Sequence, residues 1–171
     1  MKKYTTRWLI GAVLMLGVAM EPSSAAATAV FSDFDGRPVS FTDVLPADRW
    51  LVVMIWSYSC PVCAKEMQEQ ADLHERHRDG RLKVLGISLD GADAALEAWA
   101  FIEEREVGFS NLLGEPGDVT RFFSDQTGRS FRGTPTFLIY APGGTLKAVQ
   151  AGAVPPEAIE AFIYDQEHGA D

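Results

Sequence analysis

The only two cysteines of this 171-residue chain, Cys60 and Cys63, lie between a predicted strand and a predicted helix. An apolar run over residues 51–56 comes before them, and a helical pattern begins at Ala64. A strand that delivers a Cys-x-x-Cys motif to the first turn of a helix can make a reactive thiol. With no other cysteine present, the pair is a dithiol/disulfide couple, a metal ligand pair or chemically silent, and we favour the redox couple.

The N-terminal segment has the layout of a secretory signal peptide. Three basic residues precede an apolar run over residues 8–20, and small residues follow up to Ala27. Because the run is shorter than the ~20 residues that span a bilayer, we predict cleavage near Ala27, with an uncleaved membrane anchor as the alternative. The sequence thus predicts a signal peptide over residues 1–27, export to the periplasm, and one domain over residues 28–171.

The predicted mature chain is strongly acidic. Residues 28–171 hold 12 basic and 23 acidic residues, a net charge of −11, against −9 for the whole chain. A surface of this sign disfavours nucleic acid and anionic lipid as partners. The charge is spread along the chain, which indicates a solubilising surface. The sequence carries no added dimerisation domain, and we expect a monomer.

Strand and helix patterns alternate along the mature chain. Strands are predicted at residues 30–34, 51–56, 83–89, 136–140 and 146–151. A shorter run at 39–41 could form a strand that pairs with the one at 30–34. Helices are predicted at residues 64–78, 93–105, 118–125 and 157–166, with a helical turn at 42–45. The order β-β-α-β-α-α-β-β-α predicts an α/β fold with a mixed central sheet covered on both faces. A Cys-x-x-Cys in this pattern is typical of a thioredoxin-like redox motif.

Several segments resemble exported thioredoxin-like reductases of the TlpA and ResA type. They are residues 34–41, the strand at 51–56, the motif at 60–66 and the Gly-Thr-Pro-Thr-Phe-Leu-Ile segment at 133–139. The resemblance implies a thioredoxin fold with a disulfide at a helix start and a cis-proline that faces it. The strand pattern adds an extra N-terminal β-hairpin, and we expect no cofactor. It also implies that the protein reduces or exchanges disulfides in exported proteins, including apocytochromes c before haem attachment, with a membrane thiol protein as electron donor.

The resemblance assigns roles to five residues. Cys60 is the attacking thiol and Cys63 the resolving thiol of the redox-active disulfide. Pro135 is a cis-proline that faces the disulfide, and Thr134 pairs with the backbone of the substrate. Glu66 matches a glutamate found three residues after the second cysteine, and it joins the two cysteines as a catalytic candidate.

Disulfide exchange explains why the cysteines belong at a helix start. The reaction needs a thiolate, whereas an ordinary cysteine with a pKa of ~8.5 is mostly protonated at neutral pH. Unpaired amides and the macrodipole at a helix N-terminus stabilise the anion. We expect Cys60 at the N-cap, where it accepts hydrogen bonds from the amides of Val62 and Cys63, and Pro61 at the first helical position.

Two further residues have alternative roles. Glu66 lies one turn beyond Cys63, where it could accept the proton of that thiol or be a solvated glutamate near a helix start. Trp56, four residues before Cys60, is a substrate-binding candidate that could shield the disulfide. The alternative, which we favour, is that it packs in the core.

The sequence departs from the resemblance on both sides of Cys60. Ser59 stands where many relatives have tryptophan, and proline is the first of the two residues between the cysteines, whereas many reductases have it second. The redox direction is therefore open between a reductase and a disulfide oxidant. Because Val62 offers no positive charge and Glu66 opposes a thiolate, we expect a potential nearer ~−270 mV than ~−120 mV.

Three other functions compete with disulfide reduction. The spacing of Cys60, Cys63, His74 and His77 is close to that of a Cys2His2 zinc site. A continuous helix, however, would hold Cys63 and His74 ~16 Å apart. A copper(I)-binding metallochaperone using the same cysteine pair is the binding-protein alternative. Peroxiredoxin activity is disfavoured because Ser57 occupies the position, three residues before Cys60, where threonine is expected.

Overall fold

Seven strands form one mixed sheet at the centre of the part of the chain that the structure describes. The computed structural model describes residues 30–169. The strands are β1 (Val30–Ser32), β2 (Pro38–Ser40), β3 (Trp50–Trp56), β4 (Leu82–Ser88), β5 (Ser110–Leu113), β6 (Thr136–Tyr140) and β7 (Leu146–Ala151). They lie in the order β2-β1-β5-β4-β3-β6-β7, with β3, β4 and β5 parallel and all other pairings antiparallel. The mixed sheet and the N-terminal hairpin are as predicted.

Within residues 30–169, five helices cover the two faces of the sheet. They are α1 (Phe41–Val44), α2 (Pro61–Arg76), α3 (Ala95–Glu103), α4 (Pro116–Thr127) and α5 (Pro156–His168), with a 3-10 turn at Ala92–Ala94 before α3. Buried apolar residues of α2, α3 and α5 share one core cluster, and those of α1 and α4 share the other. Each face of the sheet is thus covered by helices, as the alternation of elements predicted.

The central strand β3 is buried along its whole length, which explains its unbroken apolar sequence. Its side chains alternate between the two core clusters. Val52, Met54 and Trp56 pack with α2, α3 and α5, and Leu51, Val53 and Ile55 pack with α1 and α4. Burying each such side chain contributes about 1.5–3 kcal/mol. The cysteine motif therefore follows a strand that is buried along its whole length.

The sequence pattern failed to predict β5. Of its four residues, only Leu112 and Leu113 are buried, so neither alternation nor an apolar run marks it as a strand. It pairs in parallel with β4 and antiparallel with β1 through Ser32. The predicted element order is therefore wrong between α3 and α4, and β5 is the strand that joins the hairpin to the sheet.

The predicted signal segment, residues 1–27, lies outside the described residues. Within residues 30–169, no helix combines the length and the apolar character that a bilayer span requires.

Candidate active site

The disulfide between Cys60 and Cys63 lies in the first turn of α2, just beyond the carboxyl end of β3. Cys60 is the N-cap, with an extended backbone (φ −92°, ψ 110°), and Pro61 occupies the first helical position. The Sγ of Cys60 accepts a hydrogen bond from the Cys63 amide at 3.1 Å. Of the two amides expected to donate to this sulfur, only that of Cys63 does so. A sulfur held here meets an unpaired amide and the positive end of the helix.

The two sulfurs differ in accessibility. Cys63 is 0% exposed, whereas Cys60 is only partly buried. Beside Cys60 the surface carries Tyr58 and Val62, and Val62 is 50% exposed. An incoming disulfide can therefore reach Cys60 but not Cys63, which matches the order of attack that the resemblance implies.

The loop before β6 faces the disulfide. The Thr134–Pro135 peptide bond is cis, as the resemblance implied. The Thr134 carbonyl oxygen lies 3.6 Å from the Sγ of Cys60. A disulfide sulfur has no hydrogen to donate, so this is a contact in the oxidised protein, and it can become a hydrogen bond when Cys60 is a thiol. The structure thus brings the cysteine pair and the two predicted substrate-binding loop residues together.

Glu66 lies on the buried face of α2, the helix that carries the disulfide, and is only 2% exposed. Its Oε2 accepts a hydrogen bond from the Val154 amide at 3.0 Å, and the Gln70 side-chain amide donates to the Val154 carbonyl at 3.2 Å. Burial raises the pKa of Glu66; the Val154 hydrogen bond lowers it, and the nearby charge of Glu69 raises it further. The solvated-glutamate alternative is therefore wrong.

Glu66 also lines a pocket on the surface of α2. This pocket of 260 Å³ includes Lys65, Glu69 and Asp72 among its lining residues. Glu66 thus contributes to the wall of this pocket although only 2% of the residue is exposed. Cys63 and Glu66 lie one turn apart on the buried face of α2, as a proton acceptor for the Cys63 thiol would require.

Trp56 is fully buried and does not reach the substrate-facing surface. Its indole stacks on Phe101 with ring centroids 5.1 Å apart, and its Nε1 donates to Asn111 Oδ1 at 3.0 Å. Gly86 on β4 makes room for this contact, because a Cβ there would collide with the Asn111 side chain. The assignment of Trp56 as a substrate-binding residue is therefore corrected: its surroundings match the core-packing alternative.

Sequence reasoning missed Asp90, which organises the loop that carries Cys60. One carboxylate oxygen accepts from the Ser57 hydroxyl at 2.6 Å. The other accepts from the Tyr58 amide at 3.0 Å and from the Ser88 hydroxyl at 2.7 Å. Asp90 lies two residues beyond the end of β4, the parallel neighbour of β3. A carboxylate so close to the carboxyl end of a mostly buried strand was the signal that could have identified it.

His74 of α2 and His77, the residue that caps the C-terminus of α2, lie apart from the disulfide. His74 Nδ1 accepts from the Val84 amide at 3.3 Å, and burial lowers the pKa of this imidazole. His77 Nε2 lies 2.8 Å from Glu160 Oε1. Within residues 30–169, no three His, Cys, Asp or Glu side chains form a group that could hold a metal ion. The zinc spacing in the sequence therefore does not become a site in this part of the chain.

Comparison with known proteins places the chain in a family. A model of the AhpC/TSA family matches residues 22–149. The chain belongs to the AhpC/TSA family. No curated protein is significantly similar to it in sequence. The family match and the Cys60–Cys63 disulfide together identify this AhpC/TSA protein as a thiol–disulfide oxidoreductase.

Solved structures confirm the predicted thioredoxin fold. A thiol:disulfide interchange protein of the thioredoxin family from Chlorobium tepidum TLS is 15% identical, with a TM-score of 0.65 over 79% of this chain and 90% of that chain. A secreted disulfide oxidoreductase from Mycobacterium tuberculosis, described as homologous to E. coli DsbE, is 15% identical, with a TM-score of 0.62 over 79% and 93%. StoA from Bacillus subtilis is also 15% identical, with a TM-score of 0.60 over 78% and 94%.

Proposed function

We propose that this AhpC/TSA protein reduces or exchanges disulfides in exported proteins, in the manner of the TlpA and ResA reductases. The observation that carries the proposal is the pairing of a reachable Cys60 with a fully buried Cys63 opposite the cis-proline loop. A substrate can enter only at Cys60, and the second thiol is protected until it is needed. Apocytochrome c and another maturing enzyme are the substrate classes that the resemblance suggests.

The proposed reaction has two exchange steps. The thiolate of reduced Cys60 attacks one sulfur of the substrate disulfide, forms a mixed disulfide and releases the other sulfur as a thiolate. Cys63 then attacks the Cys60 sulfur, releases the second substrate thiolate and closes the Cys60–Cys63 disulfide. Two electrons pass to the substrate. Glu66 takes the proton of Cys63 as it attacks, and the Thr134 backbone pairs with the substrate strand.

The proposed setting is the periplasm. Support comes from the signal-peptide pattern of residues 1–27, which leaves a single domain over residues 28–171. A membrane thiol protein would return electrons to the disulfide, and the acidic protein would act as a monomer. Retention of the N-terminal segment as an inner-membrane anchor would keep the same domain in the same compartment.

Reduction of insulin with dithiothreitol as electron source tests the activity. We expect the parent protein to accelerate the reaction, and both Cys60→Ser and Cys63→Ser to abolish the acceleration. With a disulfide peptide as substrate, reduced Cys63→Ser should accumulate a mixed disulfide through Cys60, because the resolving thiol is missing. A mixed disulfide that forms equally with Cys60→Ser would contradict the proposed order of attack.

A titration in glutathione redox buffers tests the direction of electron flow. We expect a potential nearer ~−270 mV than ~−120 mV, since no cation lies beside Cys60 in the motif. A value above about −150 mV would make the protein an oxidant.

Metal analysis separates this function from copper(I) binding by the same pair. Because Cys63 is fully buried, only one of the two sulfurs is accessible to a metal donor or acceptor. We expect anaerobically purified protein to be metal-free and to contain a titratable disulfide couple. Stoichiometric copper would favour the metallochaperone alternative.

A further inference from the structure

A pocket beside the cis-proline loop is lined by two arginines. Its volume is 320 Å³, and Arg129, Arg132, Ser130 and Thr136 line it together with the apolar side chains of Phe123 and Val149. Both arginines are exposed, so their guanidinium groups are available to a ligand. None of these residues takes part in the exchange steps described above.

These two arginines differ from every other arginine in the described chain. Seven arginines each lie within 3.6 Å of a carboxylate oxygen: Arg37, Arg49, Arg76, Arg78, Arg81, Arg105 and Arg121. Among residues 30–169, Arg129 and Arg132 form no such ion pair. The chain has 24 acidic and 15 basic residues, so a shortage of carboxylates does not explain why these two arginines form no ion pair. The pocket therefore offers two unneutralised cations within an acidic protein.

The pocket adjoins the part of the loop that would hold a substrate. Thr136, one of its lining residues, directly follows Pro135, and the Thr134 carbonyl lies 3.6 Å from the Cys60 Sγ. Arg132 precedes Thr134 by two residues, a separation of ~7 Å in extended chain. The pocket walls Phe123 and Val149 belong to the sheet face that α1 and α4 cover, whereas Cys60 packs on the face that α2 covers. A peptide paired with the Thr134 backbone would therefore reach the arginines by extending past the start of β6 onto the α4 side.

We propose that this pocket binds a carboxylate of the substrate peptide, so that the enzyme prefers disulfides flanked by acidic residues. The inference rests on the proposed function, because it needs a peptide at the Cys60 site. Guanidinium groups match carboxylates with paired, charge-assisted hydrogen bonds. The apolar walls formed by Phe123 and Val149 suit the methylene stem of a glutamate. The net negative charge of the protein acts in the opposite direction, since at long range it repels an acidic peptide.

Two synthetic peptides that differ only in charge test the pocket. Each contains one intramolecular disulfide, and the residues beside it are glutamates in one peptide and glutamines in the other. We expect the fully reduced protein to react faster with the glutamate peptide, by up to ~5-fold, which is the upper end of the contribution of an exposed ion pair. The Arg129→Gln/Arg132→Gln double variant should lose this preference and keep its rate with the glutamine peptide, which also shows that it is folded.

Arg121→Gln is the matched control, because Arg121 is an exposed arginine of α4 that is paired with Asp118. It should keep the preference for the glutamate peptide. Acetate at the concentration of the peptide should also leave the preference for the glutamate peptide intact. If acetate abolishes this preference, the pocket binds small carboxylates in general, and peptide recognition is overturned.

The result with the parent protein separates the two proposals. If both peptides are reduced at equal rates, or the glutamate peptide more slowly, the pocket proposal is overturned while the proposed function stands. If neither peptide is reduced, the proposed function fails and the pocket proposal fails with it.

Discussion

At the scale of single residues, Glu66 occupies an environment that a carboxylate ordinarily avoids. It lies one turn after Cys63 on the buried face of α2, and the amide of Val154 donates its hydrogen bond. Because burial raises its pKa, the group holds a proton closer to neutral pH than an exposed glutamate does. The thiol of Cys63 is shielded from water, so a nearby proton acceptor has a defined use when that thiol must attack.

Replacing Glu66 by glutamine should slow resolution more than the first attack. The amide cannot accept the proton of Cys63, whereas Cys60 reacts as a thiolate already stabilised at the helix start. We expect ~10²-fold slower closure of the mixed disulfide, the lower end of what acid–base catalysis contributes. Stopped-flow measurement of both steps with a disulfide peptide checks this. Glu75→Gln, on the exposed side of α2, is the control, and equal slowing of both steps would remove Glu66 from the mechanism.

The same substitution should alter how stability depends on pH. A raised folded pKa means that the folded state keeps its proton while the unfolded state, with a value near 4.5, releases it. The parent protein therefore loses stability relative to Glu66→Gln as pH rises from about 4.5 through the folded pKa. Urea unfolding of the two oxidised proteins across this range measures the difference. If the free energy of unfolding of the parent does not fall relative to that of Glu66→Gln as the pH rises, the buried position of this carboxylate is contradicted.

At the scale of elements, the carboxyl ends of β3 and β4 form a single support for the active-site loop. Asp90, after β4, accepts hydrogen bonds from Ser57 and Tyr58, which follow β3. The Cys60 amide in turn donates to the Ser57 carbonyl at 3.1 Å. The position of the attacking cysteine therefore depends on a neighbouring strand as well as on its own helix.

Asp90→Asn should loosen this support. The amide can replace only one of the two accepting oxygens, so at least one buried donor loses its partner, at a cost of about 1–3 kcal/mol. Urea unfolding should show this loss, and the reaction of reduced Cys60 with a disulfide peptide should slow. Asp93→Asn, at an exposed position of the following 3-10 turn, is the control. A stability loss as small as that of the control would show that Asp90 does not hold the loop.

Elements with a strong local signal could be predicted, and those defined by distant contacts could not. The bounds of β6 and β7 were predicted from the sequence, because apolar strands flank a Pro-Gly-Gly turn. By contrast, β5 has only two buried residues and is a strand because β4 and β1 lie on either side of it. The burial of Gln70 likewise depends on Val154, 84 residues further along the chain, and helical spacing of apolar residues gives no sign of it.

At the scale of the whole molecule, the sheet assembles a site from distant segments. The Cys60 sulfur and the Thr134 carbonyl are 74 residues apart in sequence, and β3 and β6 are adjacent antiparallel strands that bring them together. The resemblance to a known family predicted this meeting, since both segments carry recognisable motifs. Neither the Asp90 support nor the arginine pocket has such a motif, and both became visible only in the folded chain.

The N-terminal segment gives a prediction about the whole chain in the cell. We expect a bacterium that expresses the full sequence to release a protein that begins near residue 28, because small residues end the apolar segment there. Intact mass of the protein in the periplasmic fraction checks this. Ala27→Leu, which places a bulky residue at the expected cleavage position, should stay full length. Full-length parent protein in the membrane fraction would instead support the anchor alternative.

Alkylation of the reduced protein by iodoacetamide, with each site located by mass spectrometry, tests the central claim most directly. The helix start stabilises the Cys60 thiolate, and Cys63 is buried, so Cys60 should be labelled first at neutral pH and faster than free cysteine. Labelling of Cys60 no faster than free cysteine between pH 6 and 8, or labelling of Cys63 first, would contradict the account, since this range lies below the ordinary thiol pKa of ~8.5.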